Sequence, residues 1–178
     1  MLRCLLAVMA LLSATILMAE PSVAPVYQGF SIDPPSGWIV WEKRQKPNHA
    51  IWGKIDKAYI RHTILADVQI SPPDVAKMSI SDLQSKIEQS LKQQPPARIK
   101  DFQFEITQGS RRGTPTLEVR TQATDTGFAP TAKLFSRSFT LITPDKRLLT
   151  VTVSERSDQV DFKFDEQEAE KFFDAVSW

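Results

Sequence analysis

K-L-F-S-R-S-F-T-L-I-T-P-D-K-R-L-L-T-V-T-V-S-E, residues 133–155, is the stretch that decides the fold. Phe135, Phe139 and Leu141 fall on one parity, and Leu149, Val151 and Val153 match them beyond Pro144-Asp145. Period-two apolar positions on both sides of a Pro-Asp pair predict a β-hairpin. The parity also sets the loop. For Leu141 to face Leu149 and Phe139 to face Val151, the connection must hold an odd number of residues, because a one-residue slip turns every side chain over. A three-residue loop, Pro144-Asp145-Lys146, satisfies this. Pro144 supplies the fixed φ of a type I turn, and Lys146 then has to be left-handed.

Working outward, residues 116–124 alternate through Leu117, Val119, Thr121 and Ala123, and residues 101–108 through Phe102, Phe104 and Ile106. Both stretches read as strands, separated by a polar turn, Gly109-Ser110-Arg111-Arg112-Gly113. A helix is predicted upstream, capped by Ser79 or Ser81 and running to about Gln93, because Ile80, Leu83, Ile87 and Leu91 make one stripe. Ser81 with Gln84 has capping-box form, and Pro95-Pro96 closes the far end. Residues 58–70 form a long alternating strand through Ile60, Ile64, Ala66, Val68 and Ile70, while residues 48–54 read ambiguously. Residues 38–43 form a strand with Trp38 and Val40 on one face and Ile39 and Trp41 on the other, so both faces are expected to be covered. At the other end, Asp165 caps a helix over residues 166–176, with Glu168 completing a capping box. Ala169, Phe172, Phe173 and Val176 are its docking stripe.

Residues 1–19 read as a secretory signal, with Arg3 as n-region and an apolar run of 15 residues ending at Ala19. That run is short of the roughly 20 residues that cross a bilayer. Residues 20–28 are an extended lead-in and residues 29–178 a single domain, so the expected location is periplasmic or secreted with no membrane span after signal removal. The only cysteine, Cys4, lies inside the leader, which removes disulfides and thiolate chemistry from the mature chain. The net charge is +1, and taking away Arg3 leaves 21 basic and 21 acidic residues. That balance gives no electrostatic footprint for nucleic acid.

This element order predicts an α+β fold, an antiparallel sheet with helices packed on its faces. F-S-I-D-P-P-S-G-W (residues 30–38), V-Q-I-S-P-P (68–73), R-R-G-T-P-T-L-E-V (111–119), the central hairpin and E-A-E-K-F-F (168–173) resemble the PsbP-like superfamily. This group contains photosystem II extrinsic proteins, the Ran-binding Mog protein and DcrB-like envelope proteins. The resemblance covers residues 29–178. It implies an α/β/α sandwich and action by docking to larger assemblies, with no shared catalytic constellation.

The sequence has no Gly-rich phosphate loop, G-x-S-x-G elbow or His-x-x-x-His pair. His49 and His62 are the only histidines, and pairing His62 with Asp56 is the one base or metal-ligand arrangement that suggests itself. The expected function is therefore a non-catalytic binding or accessory domain of the bacterial envelope, with a protein partner and no cofactor or metal. The alternative is a small histidine-dependent hydrolase or metal-dependent enzyme. Trp41, Trp52, Arg111 and Arg112 are the candidate binding residues, because tryptophan is enriched at interfaces and a dibasic turn suits an acidic partner.

Overall fold

The computed structural model describes residues 27–40, 46–55, 63–71, 78–93, 97–127, 131–159 and 161–178. Its elements are β1 (Ser31–Ile32), β2 (Ile39–Val40), β3 (His49–Ile55), β4 (Thr63–Ile70), α1 (Ile80–Lys92), β5 (Ile99–Arg111), β6 (Thr114–Asp125), β7 (Ala132–Ile142), β8 (Leu148–Ser157), α2 (Glu166–Ala175) and β9 (Val176–Ser177). Seven strands form one antiparallel sheet in the order β2-β3-β4-β8-β7-β6-β5, and β1 pairs with β9 beside it. This is the expected α+β class.

The hairpin lies at the centre, with β8 as the middle strand. Leu141 faces Leu149 and Phe139 faces Val151. The loop is Pro144-Asp145-Lys146, closed by Thr143 N donating to Arg147 O at 2.9 Å. Lys146 is left-handed at φ 66°, the conformation that an odd loop after a type I turn requires. The ambiguous stretch is a full strand, β3, held between β2 and β4.

Three local expectations differ. β5 and β6 are linked by a tighter turn than expected, because β5 continues to Arg111 and pairs it with Thr114. Only Arg112 and Gly113 remain at the tip, with φ of 49° and 76°, the two positive values of a type I′ turn whose twist matches that of the strands. The first helix takes Ser79, one of its two expected caps, and the box expected at Ser81 and Gln84 forms elsewhere. Asp82 N donates to Ser79 Oγ, and the Asp82 carboxylate accepts from Ser79 N, so the box closes on Asp82 and not on Gln84. In β2, Ile39 is 59% exposed, so only the Trp38 side is covered. Among the described residues no helix reaches the Ile39 face at the sheet's edge. The expected strand over residues 58–70 is described as β4 from Thr63 onward, and His62 and Asp56 lie outside the described residues.

Register separates the sheet into two faces. Ala50, Trp52, Ile64, Ala66, Val68, Ile70, Leu149, Val151, Val153, Phe139 and Leu141 share one face and form the core with Ala169, Phe172, Phe173 and Val176. Phe172 lies 4.6 Å from Trp38 and 5.6 Å from Trp52, ring to ring. Such aromatic clusters add to area burial. On the opposite face Ile51 of β3 is buried at one end, and at the other Leu117 and Val119 are buried where α1 approaches, its Gln84 accepting from Gln108 at 2.9 Å. Between these ends it is lined by Thr140, Thr150, Ser138 and Thr152.

Asp165 caps α2 as expected, accepting from Glu168 N at 2.9 Å. The Glu168 carboxylate does not turn back to complete the box. It accepts from Trp38 Nε1 and from Lys54 Nζ, both at 2.8 Å, and ties the helix to β2 and β3. An almost fully buried carboxylate needs such partners.

Candidate functional site

Among the described residues, the candidates chosen from sequence, Trp52, Arg111 and Arg112, are not brought together on one surface. Trp52 alternates in phase with Ala50 and points into the core, where it is 1% exposed and meets Tyr27 and Phe172. Trp41 lies outside the described residues. Arg111 and Arg112, expected at a solvated turn, are drawn onto α2. The Arg111 guanidinium lies over Phe139 and Phe173 at 4.9 and 5.0 Å. It donates to both oxygens of Glu170, at 2.6 and 3.1 Å, and to Glu118 at 3.2 Å. Arg112 donates to Asp174 O at 2.6 Å and Val176 O at 2.9 Å, satisfying carbonyls at the helix end. A forked cation placed against helix carboxylates and carbonyls is held there in preference to water. Both arginines thus serve to dock the helix.

Arg111 is one end of a ladder. Arg137, 11% exposed, reaches Glu118 at 3.0 Å, Glu170 at 2.8 Å and Glu166 at 3.2 Å. Arg120 reaches Glu166 at 3.1 Å. Burial works against the Arg137 charge, but the bond and charge of Glu118, with Glu170 and Glu166, more than offset it and raise its pKa. The hydrogen bond from Arg111, together with both arginine charges, outweighs burial at Glu170 and lowers its pKa. No sequence rule pairs these residues, since they come from β5, β6, β7 and α2.

The ladder borders a groove of about 520 Å³, walled by β5, β6, β7 and residues 162–166. Gln103, Gln122, Phe135 and Phe162 line it and continue into an adjoining hollow of about 320 Å³. Gln122 Nε2 donates to Gln103 Oε1 at 2.5 Å across β5 and β6. Phe135 and Phe162 meet at 5.6 Å.

Deeper in, Glu155 is 1% exposed and accepts from Asp165 N at 3.2 Å. Its inward direction was legible, since it shares the parity of Leu149, Val151 and Val153. Burial raises its pKa from 4.5 to about 7, opposed by the Asp165 bond and aided by the charges of Asp165, Glu168 and Glu166. The sign follows from linkage. The folded state holds this proton more tightly than the unfolded chain, so the destabilisation is absent below pH 4.5, grows as pH rises, and is complete above about 7. Glu155→Gln should therefore stabilise the protein by about 3 kcal/mol at pH 8 and by far less at pH 4.5. Urea denaturation at both values checks it, and an equal gain at both would refute the titration.

His49 Nε2 meets Asp67 Oδ2 at 2.9 Å across β3 and β4. The neighbouring hydroxyl, Thr152, stands opposite Asp67 in register. A nucleophile–base–acid series requires the hydroxyl against the histidine, and here it is placed beside the acid. Among the described residues no group of three His, Cys, Asp or Glu side chains is placed to hold a metal ion.

No family model matches the chain, so the PsbP-like resemblance has no such support. No curated protein matches it either. The chain is similar to several solved structures, two of which follow. LpqN of Mycobacterium tuberculosis, described as involved in cell envelope biogenesis, is 15% identical over 85% of this chain and 83% of that one, with a TM-score of 0.44. Human StAR-related lipid transfer protein 5 is 9% identical over 79% of this chain and 84% of that one, with a TM-score of 0.34. Neither likeness bears on what this chain binds. No helix among the described residues is long and apolar enough to cross a membrane.

Proposed function

We propose that the chain is an exported, non-catalytic binding domain of the bacterial envelope that docks to a protein partner or assembly. The leader-like residues 1–19 support export, and helices on opposite faces of the sheet suit the α/β/α layering that the PsbP-like resemblance implies. The observation that carries docking is the β2 edge. Among the described residues this strand ends the seven-stranded sheet, and Ile39 on it is the one strongly exposed large apolar side chain. Trp41 follows two positions later in sequence. An unpaired edge is a place where another chain can add a strand, with apolar neighbours setting specificity.

The test is crosslinking and recovery of partners from envelope extract, with melting curves alongside. Ile39→Ser with Trp41→Ser is expected to cut recovery about ten-fold, a loss of about 1.4 kcal/mol in binding, without lowering the melting temperature. The double variant His49→Ala, His62→Ala should recover partners normally. The second reading, a histidine-dependent enzyme, rests on the His49–Asp67 contact. It wins if the folded histidine variant alone loses the phenotype.

A further inference from the structure

We propose that the groove between Phe135, Phe162 and the Gln103–Gln122 pair is a binding site for a neutral saccharide, separate from the β2 edge and independent of it. The charges decide the class of ligand. Arg120 and Arg137 line the groove, but both are already paired with Glu166, and Arg137 also with Glu118 and Glu170. Lys163 lines the groove together with Glu105, and Lys133 lines the adjoining hollow together with Asp101, so each wall carries both signs of charge. With charge compensated inside the walls, an anion or a cation gains little there, and binding a charged ligand would first have to break an existing pair.

What remains on offer is amide chemistry and aromatic surface. The two glutamines spend one donor and one acceptor on each other. Each amide carries two N–H donors and a carbonyl with two lone pairs, so further donors and acceptors remain for vicinal hydroxyls. Phe135 and Phe162 give an apolar wall beside them, suited to the C–H face of a pyranose ring. A lipid chain would leave the amides and ion pairs dry and under-bonded. At about 520 Å³ the groove has the volume of small-molecule sites in general, enough for a short oligosaccharide.

The experiment is an NMR titration of the purified protein with maltotriose, tri-N-acetylchitotriose and inorganic phosphate in separate arms. Saturable shifts of the Gln103 and Gln122 side-chain amides and of Phe162 are expected with at least one of the sugars. Which sugar does so separates a glucan from an amino-sugar source. Gln122→Ala and Phe162→Ala, both checked for an unchanged melting curve, should each weaken binding about ten-fold, as expected for losing a polar or stacking contact. The proposal is overturned if neither sugar gives saturable shifts, if phosphate binds at these residues, or if both variants bind as the parent does. Such a failure leaves the β2 docking reading intact, because that assay reads a different surface.

Discussion

Replacing Leu149 with Asp is expected to cost most of the stability of the domain. Leu149 has no exposed surface, faces Leu141 across the hairpin, and pairs on its other side with Ile70. Deleting a buried leucine side chain alone costs about 2–5 kcal/mol. An unpaired carboxylate in that place adds the desolvation of a charge or forces it to stay protonated. Against a total of about 5–15 kcal/mol for a domain, the sum leaves little. Ile142→Asp is the control. Ile142 lies one residue past Leu141, the partner of Leu149, on the other face and is half-buried, so its cost should be smaller by at least about 2 kcal/mol on the same transfer argument. Chemical denaturation of the two variants measures the difference, and equal, small losses at both would show that the register does not divide the faces in this way.

Phe172→Ala and Phe173→Ala are each expected to cost about 3–5 kcal/mol, the range for emptying a buried aromatic site. They should fail differently. Phe172 sits against Trp38 and Trp52, so its loss opens a cavity between α2 and the β2–β3 end. Phe173 packs on Phe139 at 5.2 Å and lies beneath both Arg111 and Arg137. Its loss also removes the ring on which those cations rest, a contribution of about 0.5–2 kcal/mol for cation–π contacts. Phe173→Ala combined with Arg137→Ala should therefore be less destabilising than the two changes added together, since the residues touch. Strict additivity in urea melts would remove the coupling. Deleting residues 165–178 should leave a chain that aggregates or melts far below the parent, and an unchanged melting temperature would show the helix to be dispensable.

The parts legible in the sequence are those whose physics is local or strictly periodic. The hairpin loop followed from parity alone, because an odd connection is the only one that sets Phe139 against Val151. The stripe Ala169, Phe172, Phe173 and Val176 announced a buried face and has one. Parity likewise turned Glu155 inward, although its raised pKa depends on Asp165, Glu168 and Glu166 coming near it from a later segment.

What the tertiary structure decided concerns partners distant in the chain. The closure of the sheet by β4 on β8 joins residues some 80 positions apart, and no turn signal records it. A polar side chain's use also depends on what arrives opposite. Arg111 and Arg112 look like solvated turn charges until α2 places Glu170 and its own terminal carbonyls within reach. Glu168 looks like half of a capping box until Trp38 and Lys54 compete for it. Charges and hydrogen-bonding groups act over a few ångströms and carry no period, so their destinations follow from the packing of strands and helix. Apolar side chains repeat with the element that carries them, and for that reason the core could be read first.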